Sequence, residues 1–174
     1  MATISKDEQA PAEANAIRRV VVGVDESPSA ANVLRWALQE AASRRVPCVA
    51  LRVVTPLAAT FSDPSNEPGW LDAVLDDAAQ AVRAEVERAS ADASSRPPAV
   101  DIQARIGFPG TILVDAAPAG SLLVVGSRGL SRVGQVVLGS VSRHVIEQAR
   151  CPVVVLGPRV SSTGADNPMP GSSA

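Results

Sequence analysis

The sequence predicts a doubly wound α/β domain built on an open sheet of five parallel strands, and three observations predict it. Short apolar runs of strand length alternate with longer stripes of helical period. Each link between successive strands contains one such stripe, which makes the strands parallel, with right-handed crossovers and helices on both faces. The chain has 174 residues and no internal repeat, enough for one core of this kind and short for two.

The elements follow in order. Arg19–Val24 is an apolar run of the kind shown by a strand covered on both faces. Ser27 can cap the next helix and Pro28 suits its first turn. Ala30, Val33, Leu34, Ala37, Leu38 and Ala41 then form an unbroken helical stripe. Cys48–Val54 is the second strand. Thr55–Gly69, rich in Pro, Ser and Asp, reads as a long loop, and long loops in compact domains are usually functional or mobile. Leu71, Val74, Leu75, Ala78, Val82, Val86 and Ala89 mark the second helix. After Arg96 and two prolines the period becomes two, with Val100, Ile102, Ala104 and Ile106 apolar, which predicts an edge or half-exposed strand. Gly110–Ala117 is a short helix ended by Pro118, Ser121–Val125 a fourth, buried strand, and Ser140–Gln148 the last helix. Pro152–Leu156 closes the list. Residues 1–16 and 161–174 lack periodicity and read as disordered tails around a folded domain at 17–160.

Composition removes several kinds of chemistry. The basic residues are 15 Arg and one Lys, and Lys6 lies in the N-terminal tail. A GxxxxGK phosphate loop needs a lysine beside its glycines, and no glycine has one. Receiver domains and Schiff-base enzymes need a lysine in the folded part and are excluded with it. A single histidine, His144, and two distant cysteines cannot build a structural zinc site. A net charge of −2 argues against a general nucleic-acid binder. The longest uncharged stretch, Ala116–Ser127, is too short and too broken by Pro118 to span a bilayer, and the first residues lack the apolar segment of a signal peptide. A cytoplasmic location is the expectation. Cys48 and Cys151 each open a strand-like run and read as buried free thiols.

Ligands of open parallel sheets bind beyond the carboxyl ends of the strands, where strand order reverses. The first strand ends in Gly23-Val24-Asp25, and the fourth leads into Gly126-Ser127-Arg128-Gly129, on through Gly134 to Gly139-Ser140. If these strands are neighbours, the two segments share one crevice. The second segment suits phosphate: glycines let backbone N–H groups approach an anion, and the N–H groups of Ser140, Val141 and Ser142 are the open donors of a helix N-terminus. The Ser140 and Ser142 hydroxyls add donors, and Arg128 and Arg132 supply positive charge. Arg143, His144, Trp36 and Trp70 read as surface or packing residues, and no side chain is assigned a catalytic role.

Gly126-x2-Gly129-x9-Gly139-Ser140 matches the G-x2-G-x9-G-S/T signature of the nucleotide-binding branch of the universal stress protein family, which the chain resembles from about Arg18 to Pro158. VVVGVDESPSA resembles that family's opening strand and first helix, and LGSVSRHVIEQARCPVVVL its last helix and strand. The resemblance implies a flavodoxin-like sheet of order 3-2-1-4-5, of the adenine nucleotide alpha hydrolase kind, holding ATP in the crevice, with or without Mg²⁺. It places Gly23, Asp25 and Val53 at the adenine and ribose. It places Gly126, Ser127, Arg128, Gly129, Leu130, Ser131 and Arg132, with Gly139, Ser140, Val141 and Ser142, around the ribose and phosphates. It further implies a homodimer through the last strand, Pro152–Leu156. Two departures stand out: Glu26 replaces a frequent glycine and adds negative charge near the site, and Ser121 replaces a frequent aspartate. The function expected is stress-response regulation by nucleotide occupancy, with slow hydrolysis at most. The alternatives are an ATP-consuming hydrolase or transferase holding Mg²⁺ through Asp25 and Glu26, and a dimeric interaction module without nucleotide.

Overall fold

The computed structural model describes residues 16–57, 69–91, 98–127 and 138–157. The two expected tails therefore lie outside the described residues, Ala16 aside, as do residues 58–68 of the long loop and 128–137 of the glycine-bearing segment. Nine elements alternate as expected: β1 Arg19–Gly23, α1 Ala30–Arg44, β2 Cys48–Val54, α2 Trp70–Ala91, β3 Val100–Ile106, α3 Pro109–Ala116, β4 Ser121–Gly126, α4 Ser140–Gln148 and β5 Val153–Leu156. The five strands form one sheet of order β3-β2-β1-β4-β5, with every pairing parallel.

The apolar runs conceal a period of two that decides which helix covers which face. Val20, Val22 and Val24 from β1 and its exit, with Cys48 and Ala50 from β2 and Leu122 and Val124 from β4, pack under the α1 stripe and under Val82, Val86 and Ala89 of α2. Their alternates Val21, Leu51, Leu123 and Val125 pack on the other face against Leu113 and Ala117 at α3 and Val145 of α4. The sheet is thus sandwiched, α1 and α2 on one side, α3 and α4 on the other. Every apolar residue of the α1 stripe is buried. At the sheet edge β3 has no residue fully buried, as its alternation implied.

Local chemistry shifts two of the expected details. Ser27 does not cap α1. Its N–H and hydroxyl both donate to Asp25 Oδ1, at 3.1 and 2.6 Å, and one further turn passes before the helix opens at Ala30. A side-chain bond to a neighbouring backbone group has outcompeted the cap. Cys48 is buried as expected, but Cys151 is only half-buried, because it precedes an edge strand with a neighbour on one side alone. Burial pushes the Cys48 thiol up to about 12 and raises that of Cys151 less fully, against a backbone hydrogen bond at Leu123. At the far end of α1, Arg45 adopts the left-handed region at φ 57, and the Arg45 and Val46 N–H groups close the helix on the Ala42 and Ala41 carbonyls. Among the described residues no helix is long and apolar enough to cross a membrane.

Candidate functional site

The reversal falls between β1 and β4, which pair from Arg19↔Ser121 to Val22↔Val124. From these neighbouring ends the chain departs in opposite directions, since α1 covers one face and α4 the other. The exits part and leave a cleft of about 300 Å³. Gly23, Asp25, Val53, Gly126, Gly139, Ser140, Val141 and Ser142 all line it. Of the other expected residues, Ser127 is buried at 8% exposure directly after β4, and Arg128, Gly129, Leu130, Ser131 and Arg132 lie outside the described residues.

Backbone hydrogen bonds set the relation of the two halves. Ser127 N–H donates to the Leu156 carbonyl at 2.7 Å, tying the end of β4 to β5. Gly139 N–H donates to the Ser127 carbonyl at 2.8 Å, so the start of α4 is fixed to the end of β4 across the intervening residues. Ser142, 2% exposed, donates its hydroxyl to the Gly126 carbonyl at 2.6 Å. That hydrogen is therefore committed to positioning α4 rather than offered to a ligand. Gly139 is the N-cap of α4, at φ −63 and ψ 161, and carries no capping side chain. The helix presents its first N–H groups, with a partial positive charge, to the wall of the cleft.

On the β1 side, Val24 N–H donates to the Leu51 carbonyl at 2.9 Å, which carries the sheet one residue past β1 before the chain turns at Asp25. Both bonds from Ser27 fall on Asp25 Oδ1, and the Ser27 and Ser29 hydroxyls lie 3.0 Å apart, so the loop holds the carboxylate at the rim. Gly23 lets α3 come close: a Cβ there would sit 3.0 Å from Leu113 Cδ1 and press that methyl aside. Ala30 and Val33, which the sequence placed in the α1 core stripe, supply apolar wall together with Pro109 and Leu113 of α3, which it did not single out. Asp25 is the one ionisable side chain among the described residues lining the cleft. Glu26 does not line it. Its carboxylate pairs with the Arg52 guanidinium from β2, a partner that becomes visible only once β1 and β2 are in register. Among the described residues no group of three His, Cys, Asp or Glu is placed to hold a metal ion.

A five-stranded parallel sheet with helices on both faces and its cleft at the strand reversal defines the class of doubly wound α/β domains. Within that class the chain belongs to the Universal stress protein family, whose profile matches residues 16–157. It is 34% identical over 144 residues to Universal stress protein Rv2623 of Mycobacterium tuberculosis, covering 79% of this chain and 46% of that protein. The chain spans about half the length of the curated relatives it matches. Among solved structures it is similar to universal stress protein UspA from Lactobacillus plantarum, with TM-score 0.62 and 26% identity over 81% of this chain and 98% of that one. It is also similar to a universal stress protein in complex with cAMP, with TM-score 0.52 and 25% identity over 82% of this chain and 98% of that one.

Proposed function

We propose that the chain is an ATP-binding regulatory protein in which nucleotide occupancy, rather than turnover, carries the signal. The observation that carries this reading is the meeting of sequence-distant residues, Gly23 to Asp25 with Gly126 and with Gly139 to Ser142, in the wall of one cleft beside the α4 N-terminus. Asp25 and Val53 take the adenosine end. The N–H groups of Ser140, Val141 and Ser142 and the Ser140 hydroxyl take the phosphates, joined by residues Ser127 to Arg132. The relative solved with cAMP supports an adenine nucleotide as the class of ligand. Mg²⁺ bound with the nucleotide would offset phosphate charge, and Asp25 is the carboxylate in the described wall that would face it. Hydrolysis is slow at most: Asp25 is anchored to its loop by Ser27 and is the one ionisable group in the described wall. A turnover above about 1 per second, in the ordinary enzyme range, overturns the regulatory reading.

The proposal includes a homodimer through β5, whose outer edge pairs with no strand among the described residues and is open to a second copy. Light scattering checks this, and a monomer at every concentration tested removes it.

The test of the nucleotide reading is mass spectrometry of the supernatant from denatured protein, followed by equilibrium dialysis with ATP. Gly139→Val should abolish binding while leaving the fold intact, because φ −63 and ψ 161 is a conformation valine adopts. ATP affinity that survives this substitution refutes the site.

A further inference from the structure

A second cleft opens beside the same strand ends. It holds about 580 Å³ between the exits of β1 and β2 and the first turns of α2. It shares Val24, Asp25, Val53 and Thr55 with the first cleft, so the two are neighbours across one wall. Along α2 it is lined by Trp70, Ala73, Val74, Asp77, Ala78 and Ala81, which recur at helical spacing and make one continuous helix face. Ala73 and Ala81 are exposed and carry only a methyl group, so this part of the face leaves its volume open instead of filling it.

The charges in the wall decide what suits that volume. Asp25, Glu26 and Asp77 contribute three carboxylates, against the single guanidinium of Arg52, which Glu26 already holds. The N-terminus of α2 opposes a cation with roughly half a charge that fades within the first turn, whereas Asp77 lies further along the helix. With Glu26 held by Arg52, Asp25 and Asp77 leave two net negative charges, which outweigh it. A bare metal ion does not fit, because these carboxylates do not gather into a group able to ligate one. An elongated ligand does: Trp70 in the wall supplies an aromatic ring for a guanidinium or ammonium head, and the exposed alanines leave room for methylenes between charged ends.

We propose that this second cleft binds an organic cation of the alkyl diamine or guanidino-amine class. The nucleotide reading also uses Asp25 and Val53, but none of the α2 residues lines the first cleft, so substitutions on α2 test this site separately.

The probe is agmatine, titrated into nucleotide-free full-length protein by calorimetry and by fluorescence. The chain has two tryptophans, so a Trp36→Phe background leaves Trp70 as the only reporter. Saturable heat with a matching change in Trp70 emission is expected. Asp77→Asn should weaken agmatine by about threefold, the scale of one solvent-exposed charge pair, and added salt should weaken it further. Ala81→Leu fills the cleft from an exposed helix position with a good helix former, and should abolish agmatine binding while circular dichroism and ATP dialysis are unchanged. The proposal falls if agmatine fails to saturate, if Ala81→Leu binds it as well as the parent, or if ATP and agmatine compete strictly for one site. Agmatine binding without ATP binding overturns the proposed function and leaves this site standing.

Discussion

Gly110→Ala tests how tightly α3 sets the position of α4, and with it the floor of the first cleft. Gly110 lies in the first turn of α3, where a built Cβ would stand 2.7 Å from His144 Cδ2, 2.8 Å from Cγ and 2.9 Å from Cβ. The first two contacts are to a ring that can turn away. The third is to an atom fixed to the α4 backbone, so one helix must shift against the other. Overpacking of this kind costs about 1–3 kcal/mol, and the backbone contact puts this case in the upper half. Replacing a helical glycine returns up to about 1 kcal/mol through propensity. The net destabilisation expected is about 1–2 kcal/mol, or a Tm lower by about 2–8 °C at this chain length. Urea unfolding followed by circular dichroism measures it. His144→Ala in the same chain removes the two ring contacts and keeps the third, so the double variant should recover part of the loss and not all. Wild-type stability in Gly110→Ala, or full recovery in the double variant, refutes this account of the α3–α4 contact.

Three further outcomes are expected. Arg45→Gly should raise stability by about 1 kcal/mol in urea, because Arg45 bears the left-handed conformation at φ 57 that glycine adopts freely. Ser121→Ala should hold or raise stability by up to about 1 kcal/mol, since the fully buried Ser121 hydroxyl has no hydrogen-bond partner among the described residues; a loss of stability refutes it. Cys151 should react with Ellman's reagent at pH 8 well before Cys48, whose thiol is pushed up to about 12 by burial. The same shift makes the stability Cys48 contributes present below its ordinary value of 9.0 and lost as pH rises from there toward 12, a trend that alkaline unfolding curves will show.

Periodic signals were legible where packing alone sets an element, except at the start of α2, where Leu71 of the expected stripe is 42% exposed and Leu75 is not fully buried. The bounds of β2 and α4 follow from their apolar patterns, and the α1 stripe is the buried face residue for residue. Legibility failed where a polar side chain had two possible partners. Ser27 followed by Pro28 is a fair helix-start signal, yet Asp25 two residues earlier offers a better acceptor and takes both Ser27 donors. It failed again where a relation needs register: Glu26 and Arg52 are 26 positions apart, and only the β1–β2 alignment brings them together. The second cleft was hidden for a different reason. Ala73 and Ala81 fall outside the apolar stripe of α2, and their significance lies in the volume they leave empty. The first cleft was legible from two glycine-bearing strand ends, because the reversal rule turns strand order into a location.

The Glu26–Arg52 pair connects the two clefts electrostatically, and that yields a prediction with opposite signs. Lysine is missing from the folded part, so an anion in the first cleft relies on the α4 N-terminus and on arginine. Glu26 was expected to add negative charge there, but it is neutralised pairwise by Arg52 and faces the second cleft. Glu26→Gln removes one carboxylate and releases the guanidinium. Its side chain is 65% exposed and the pair is a surface one, so each effect should be a factor of about two to five. ATP should bind more tightly, since Arg52 no longer has its counter-charge. Agmatine should bind more weakly, since one of three attracting carboxylates is gone and an unpaired cation is left in its place. Equilibrium dialysis of each ligand separately measures both. A change of the same sign for ATP and agmatine means the two clefts do not read this pair in opposite ways, and the charge argument for the second cleft fails with it.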